Sequence, residues 1–273
     1  MEKSKEVSQL QSQLLEMMIA FRDFVSERGL DMFLVGGSAL GACRHNGFIP
    51  WDDDADLAMM RGDFEKMEKA MEQNGNRLGE YVYSPVEHHI TPDAPVGYLY
   101  KLKKCGEGYE ILLKIDIHPI DGVPSGKFMK KVQMVSALVY YLSTYRLPVK
   151  NKGKTIRNIS KMILKMTPEF MFRFYIRMAK RIFTAWSDET SREICSLFGI
   201  AGYNREVMPR EWLMPLKKVE FEGETFLAPL KTEEYLTRLY GDYRTLPPVE
   251  KRKPHHAHQR VVIRMPDGNR KEK

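Results

Sequence analysis

Leu10, Leu14, Met17, Phe21 and Val25 recur at three- and four-residue steps, which predicts an amphipathic helix ending near Gly29. The apolar run Met32-Phe33-Leu34-Val35 reads as a short strand closed by Gly36, Gly37 and Ser38, an order that lets backbone amides approach a ligand without side-chain obstruction. Further on, if Asp54 begins a strand, the two-residue period puts Asp54 and Asp56 on one face and Ala55, Leu57 and Met59 on the other. Phe64, Met67 and Met71 mark one side of a helix from about Gly62 to Gln73. Strands are expected near Glu80–Ser84 and Tyr98–Lys103, with a longer one over Glu110–Pro119 that carries Lys114, Asp116 and His118 on the face opposite Ile115 and Ile117. An aspartate in so apolar a strand needs a partner. From Gly126 to Trp186 the pattern turns helical, with Val132, Val135, Val139 and Leu142 in one segment and Ile156, Ile159, Ile163 and Met166 in another. Beyond Trp212 come a hairpin (Lys218–Glu222, Gly223, Glu224–Phe226), a short helix around Glu233–Tyr240 and a polar tail expected to fray.

A chain of 273 residues with 43% hydrophobic composition can bury a core as one large domain or as a catalytic domain with an appended subdomain. Cys43, Cys105 and Cys195 are too few and too widely spaced for a disulfide framework or a zinc module, and read as buried free thiols in a reducing cytoplasm. Neither a signal peptide nor an apolar run long enough to span a membrane is apparent. Charge is unevenly spread: residues 125–185 hold fourteen Lys or Arg against the single acid Glu169, a net +13 within a chain of net +7, so the remainder is mildly acidic. Phe, Tyr and Met side chains interleave with those cations, which fits an anionic membrane surface better than a solvated face. Nucleic acid is not expected, because no familiar reading motif accompanies the charge.

The chemistry concentrates in Asp52, Asp53, Asp54 and Asp56. Alone, such a run is most often a solvated turn; the upstream glycines, the alternating strand and Asp116 on a second apolar strand change that reading. Two bare carboxylates about 4 Å apart repel by roughly 4 kcal/mol at an effective dielectric near 20, so convergent aspartates call for a cation or a proton. Oxygen ligands favour Mg2+, or Mn2+, over zinc. Phosphoryl or nucleotidyl transfer requires positioned phosphates, metal ions and an activated hydroxyl. Gly36, Gly37 and Ser38, ahead of a helix through Ala39–Cys43, offer amides to a donor phosphate, and Arg44 and His45 are near enough to join them. Asp54 and Asp56 are the candidate metal ligands, and Asp116 completes the site and helps take the acceptor's proton. Asp52 and Asp53 stay open between capping the turn and supporting the ligands. Trp51 reads as core, and Tyr240, Asp242 and Tyr243 either line a donor pocket or end a helix.

The run Gly36-Gly-Ser-Ala-Leu-Gly-Ala-Cys-Arg-His-Asn-Gly-Phe-Ile-Pro-Trp-Asp-Asp-Asp-Ala-Asp-Leu-Ala-Met resembles the signature of the LicD family, bacterial phosphocholine transferases that decorate cell-surface glycans. Lys114-Ile-Asp-Ile-His-Pro-Ile-Asp-Gly and the tail Tyr240-Gly-Asp-Tyr with Lys251-Arg-Lys-Pro-His-His are similar to that family's later motifs. Departures from the commoner pattern at Ser38, Cys43 and Ala55 remove no expected ligand. The resemblance implies an α+β fold, a nucleotidyltransferase-like mixed sheet flanked by helices with a basic helical insertion. Its expected division is a catalytic core over 1–124, the basic region over 125–186, a C-terminal part over 187–260 that completes the catalytic domain, and a flexible tail over 261–273. It also implies metal-dependent transfer of a phospho-alcohol, phosphocholine first, from a CDP-alcohol donor to a sugar hydroxyl of a cell-surface glycan or its lipid-linked precursor. The protein would then be cytoplasmic and peripheral at the inner face of the membrane, docked through 125–185. His255 and His256 enter from the tail motif as contacts to donor phosphates, against a plain reading as exposed polar residues. A nucleotidyltransferase placing an NMP on a small molecule and a non-catalytic basic module that binds membrane or nucleic acid are the alternatives.

Overall fold

The computed structural model describes residues 5–87, 94–106, 108–148, 153–199, 201–252 and 262–263. In chain order the elements are α1 (Lys5–Ser26), β1 (Phe33–Leu34), α2 (Gly36–His45), β2 (Ala55–Met60), α3 (Arg61–Gln73), β3 (Arg77–Leu78), β4 (Tyr81–Ser84), β5 (Gly97–Cys105), β6 (Gly108–Val123), α4 (Lys127–Tyr145), α5 (Gly153–Met166), α6 (Glu169–Phe183), β7 (Glu193–Cys195), α7 (Tyr203–Glu206), β8 (Met208–Pro209), α8 (Arg210–Leu213), β9 (Lys217–Phe221), β10 (Glu224–Ala228), α9 (Thr232–Tyr240), a 3-10 turn (Val249–Lys251) and β11 (Val262–Ile263).

Strand β6 organises the sheet. Its middle pairs in parallel with β2 and antiparallel with β5, giving the order β1-β2-β6-β5-β4-β3, while its C-terminal end pairs with β7 and its N-terminal end with β11. One strand serving so many partners along its length bends the sheet, and the result is a mixed, curled sheet flanked by helices, an α+β fold of nucleotidyltransferase type. Alternation holds as expected in β2, where Ala55, Leu57 and Met59 are at most 1% exposed and face the core. Each such fully buried side chain contributes about 1.5–3 kcal/mol if large. The core is sealed by α1 through Leu14, Met17, Phe21 and Val25, all fully buried and all on the stripe that the sequence marks.

Several boundaries differ from the sequence reading, each for a local reason. Helix α2 begins at Gly36, so the two glycines form its first turn and do not precede it. Strand β2 begins at Ala55, leaving Asp54 just outside the ladder. The hairpin turns at Glu222 and Gly223, both at positive φ (50° and 82°), the backbone a two-residue turn between twisted strands requires. Of the three cysteines only Cys195 is buried; Cys43 lies on the outer side of α2 and Cys105 at the tip of the β5–β6 hairpin, both exposed.

The basic region forms α4, α5 and α6, with Pro168 between the last two as the residue that caps the start of α6. It is joined to the sheet by buried polar contacts. Gln133, fully buried, donates from Nε2 to the carbonyls of Gly122 (2.7 Å) and Phe183 (3.0 Å) and accepts from the Tyr203 hydroxyl (3.1 Å). Tyr140 and Phe183 pack edge to face at 5.2 Å within the main core. No helix among the described residues is long and apolar enough to cross a membrane.

Candidate active site

The parallel register between β2 and β6 sets Asp56 directly opposite Asp116 and Ala58 opposite His118. Same-face residues two apart on one strand then meet the carboxylate of the other, and the small side chain at Ala58 leaves room for the imidazole to lean back, its Nε2 3.7 Å from Asp56 Oδ1. Ligand atoms of Asp56, Asp116 and His118 all lie within 4.8 Å of one another, the one such cluster among the described residues.

Helix α2 is aimed at this point. The Gly37 N–H donates to Asp56 Oδ2 at 2.9 Å, and the Asp56 N–H donates to Ser38 Oγ at 2.9 Å. Gly36 sits at φ +51°, and a Cβ there would lie 2.5 Å from Asp56 Oδ2, so only glycine permits the approach. Its N–H donates to the Tyr235 hydroxyl at 2.9 Å. The Gly-Gly-Ser segment thus spends its amides on a carboxylate and a tyrosine of the protein itself. Gln11 reaches from α1 to the carbonyls of Ile49 (2.9 Å) and Asp52 (2.8 Å), fixing the acidic loop from below.

Electrostatics separate the carboxylates. Burial alone would raise Asp56, but the hydrogen bond and charge of His118, the Gly37 amide and Lys114 outweigh it and hold Asp56 below the usual carboxylate range. Burial opposes the charged form of His118 as well, yet Asp56 and Asp116 push its pKa upward. Asp116 is raised to about 6, chiefly by burial, against the pull of Lys114. Lys114 Nζ donates to Asp116 Oδ2 at 3.3 Å; it also lies 3.0 Å from Oδ1, but off the hydrogen-bonding direction, so Oδ1 is buried with no hydrogen-bond partner. Asp52 is driven highest, to about 8, by burial and then by Asp54 and Asp56. It therefore keeps its proton near neutrality and shares a hydrogen bond with Asp54.

The expected site residues are thus distributed in three groups. Asp56 and Asp116 come together, with His118, which the sequence placed on the Asp116 face without a role; the two-residue step from Asp116 was the available signal. Asp54 stands beside Asp52, outside the three-residue cluster but within its field. Arg44 and His45 lie at the other end of α2, where Arg44 donates to His45 Nε2 and to the Tyr243 carbonyl, both at 3.0 Å. Burial, then the charge of Arg252, lowers the Arg44 pKa. Arg252 in turn lies 5.6 Å from the ring of Trp51, which is half-buried against the core. His255 and His256 lie outside the described residues. Tyr240 and Tyr235 line a cavity of about 320 Å³ next to Asp56 and His118, whereas Asp242 is exposed and accepts from the Thr245 hydroxyl at 2.6 Å.

An orphaned buried carboxylate oxygen, a second carboxylate in register with it and an imidazole within reach form a donor set that fits a divalent cation. The curled mixed sheet, a glycine-led helix pointing at an aspartate of the next strand and an aspartate from a parallel neighbour define a nucleotidyltransferase-like protein. Residues 29–138 match the family described as LicD/FKTN/FKRP, nucleotidyltransferase domain. Over 246 residues, 84% of this chain and 88% of the other, it is 28% identical to the lipopolysaccharide cholinephosphotransferase LicD of Haemophilus influenzae. Both matches support general nucleotidyl- and phospho-transfer chemistry and a transferase-like catalytic role.

Proposed function

We propose that the protein is a metal-dependent transferase that moves a phospho-alcohol, phosphocholine first, from a CDP-activated donor to a sugar hydroxyl of a surface glycan or its lipid-linked precursor. The observation that carries this reading is the register-matched Asp56–Asp116 pair with His118 beside it, in a chain whose relative is named for cholinephosphate transfer. Asp56 and Asp116 would hold the ion with His118; Asp54, expected as a ligand from the sequence, stands beside the protonated Asp52 next to them. A bound cation supplies charge neutralisation at the donor's pyrophosphate. Carboxylates suit Mg2+ and Mn2+ alike, and an imidazole in the set tilts the choice toward Mn2+. Asp116 Oδ1, lacking a hydrogen-bond partner, is the atom assigned to receive the acceptor's proton. The acceptor oxygen bonds to the phosphorus that bears the alcohol, the bond from that phosphorus to the bridging oxygen breaks, and CMP leaves.

Donor phosphates are assigned to Arg44 with His45; the Gly36–Ser38 segment, expected from the sequence to join them, has its Gly36 and Gly37 amides taken by Tyr235 and Asp56 and acts by holding Asp56 in place. Arg252 joins Arg44 and His45 as a second guanidinium in the field of Arg44, and the two cations together favour an anion between them. The acceptor's setting is read from the basic helices. Ile159, Met162, Ile163 and Met166 recur at helical spacing along α5 and are 47–74% exposed, so the apolar stripe of this amphipathic helix faces solvent. Phe170 and Phe174 of α6 continue it, at 77% and 57% exposure. An apolar face flanked by a net +13 fits an anionic bilayer surface, where a lipid-linked acceptor would be met.

Incubating the purified chain with Mg2+ or Mn2+ and, separately, CDP-choline, CDP-ribitol, CDP-glycerol and CTP tests the chemistry. EDTA-sensitive CMP release from a CDP-alcohol, lost in Asp56→Asn and Asp116→Asn by about 100-fold or more, is the expected result. Pyrophosphate released from CTP alone would replace this reading with nucleotidyl transfer.

A further inference from the structure

Helices α4 and α6 run antiparallel: Gln133 Nε2 meets the Phe183 carbonyl, and at the other end the Arg146 guanidinium lies 4.9 Å from the ring of Phe172. Between their outer sides is a groove of about 470 Å³ that shares no lining residue with the cavity beside Asp56 and His118. It extends from Phe128 to Val139, about 16 Å at the helical rise. Val132, Val135 and Val139 line it from α4, and Met178 and Ile182 from α6. Among its described lining residues only Lys131, Ser136 and Tyr175 bring a nitrogen or oxygen on the side chain, and the Ser136 hydroxyl already donates to the Gln133 carbonyl at 2.8 Å. Val135 is 54% exposed, so this apolar lining is open to the outside.

One end of the groove is charged. Lys131 lines it beside Phe128, and Lys127 lies one turn earlier on the same face of α4. Lys130 is paired with Glu193, but Lys127 and Lys131 are exposed and have no carboxylate partner among the described residues. The fitting occupant therefore has an apolar length and an anionic end. A second copy of the chain would set the net +13 of this region against itself. A partner helix, about 10–12 Å across with its side chains, needs a broader channel than a volume within the ~300–1,000 Å³ of small-molecule sites. A single hydrocarbon chain fits both the length and the volume. The groove is also continuous with the face assigned to the bilayer, because Met178, which lines it, is 38% exposed and stands one turn from Phe174.

We infer that the α4–α6 groove holds one hydrocarbon chain of an anionic membrane lipid, with the lipid phosphate at Lys127 and Lys131. Methylenes buried against valine, isoleucine and methionine supply the affinity, and the two ammonium groups select the head. Such a socket is more than the surface contact assigned to α5, Phe170 and Phe174, which calls for no site for an individual lipid. It rests on the bilayer reading for the source of the ligand and is independent of the phospho-transfer reading. A lipid drawn partly out of its leaflet in this way fixes the orientation of the protein on the surface as well as its proximity to it.

Calorimetry on the full chain with lauroyl lysophosphatidylglycerol, kept below its micelle-forming concentration, tests the groove with no bilayer present. Dodecyl maltoside supplies the chain without the charge, and glycerol 3-phosphate the charge without the chain. The wild-type protein is expected to bind the lysolipid saturably, one per chain, and the maltoside about tenfold more weakly. Val135→Trp, which fills the groove from an exposed position, is expected to weaken the lysolipid by about tenfold or more, and Lys127→Ser with Lys131→Ser to reduce it to the level of the maltoside. Equal binding of lysolipid and maltoside by the wild type would overturn the proposal, a comparison that needs no variant. So would glycerol 3-phosphate binding as tightly as the lysolipid, or undiminished lysolipid binding by a folded Val135→Trp. A wild-type dimer in sedimentation that Val135→Trp dissociates would give the groove to a second copy, and displacement of the lysolipid by an acidic amphipathic peptide would give it to a partner helix. The two membrane readings can fail separately. Vesicle binding without lysolipid binding would keep the surface contact and remove this site. Lysolipid binding by a chain that ignores anionic vesicles would keep the site and remove the surface contact.

Discussion

Asp116 shows how one position carries opposing demands: it is half-buried in an apolar strand, raised to about 6 chiefly by desolvation, half-neutralised by Lys114 and left with one buried oxygen lacking a hydrogen bond. The sequence announced the conflict, because an aspartate between Ile115 and Ile117 has no apolar justification. It did not announce His118 or Glu206 as partners in the same region. His118 is one polar residue among several on its strand, and Glu206 sits on a one-turn helix with no periodic pattern to mark which way it points. A half-buried acid away from the site gives a cleaner test of residue electrostatics. Glu68 accepts from the Tyr83 hydroxyl (3.2 Å) and the Val86 N–H (3.3 Å), yet burial dominates and raises its pKa above the ordinary 4.5. The folded state therefore holds that proton more tightly than the unfolded chain. Its stabilising contribution is complete below the unfolded value and is lost as pH rises through the higher folded value. Glu68→Gln, which preserves an acceptor oxygen, is expected to gain stability relative to wild type as pH rises from about 4 through that window, measured as the difference in urea midpoints. A flat difference would mean the carboxylate is not desolvated as described.

Elements are joined at the points where the sequence pattern is silent. Arg61, first residue of α3, makes a bidentate pair with Asp121 of β6 at 2.6 and 2.7 Å, and Asp121 is 1% exposed. The guanidinium also lies 5.6 Å from the ring of Phe64 and 5.9 Å from that of Phe183, so a single side chain connects α3, the end of β6 and the end of α6. Removing one member of a buried pair strands the other charge. Arg61→Ala is expected to cost about 3–5 kcal/mol, and the double variant Arg61→Met with Asp121→Leu to recover much of it, both read from chemical denaturation. Helix stripes and strand alternation in α1, α3, β2 and β6 were legible because each records a single local period against one buried face. The beginnings of α2 and β2 were displaced by one to three residues, since the glycines that look like a turn are held in helix by their contacts to Asp56 and Tyr235. No local pattern could report those partners.

At the scale of the whole molecule, a mildly acidic body carries a cationic helical face whose apolar side chains point outward. Cosedimentation with vesicles follows directly. Binding is expected to vesicles rich in anionic lipid and not to neutral ones, to weaken as salt is raised, and to fall by about tenfold in Phe170→Ser with Phe174→Ser; equal binding to neutral vesicles would remove the electrostatic part of the assignment. The amphipathic character of this region was plain in the sequence, but an exposed apolar stripe and a buried one have the same periodicity. Only packing distinguishes them: α4 and α6 close on the core through Tyr140 and Phe183, while α5 leaves its stripe uncovered. The same division runs through the site. By itself the sequence determined the α+β class, the family resemblance, the acidic cluster and the aspartate of β6, because these rest on residue type and on periods of two and 3.6. The tertiary structure decided that Asp56 faces Asp116 with His118 behind, that Asp54 stands apart with Asp52, and that Glu206 enters the neighbouring cavity. Those outcomes depend on strand register and on contacts between residues far apart in the chain, which local periodicity does not encode.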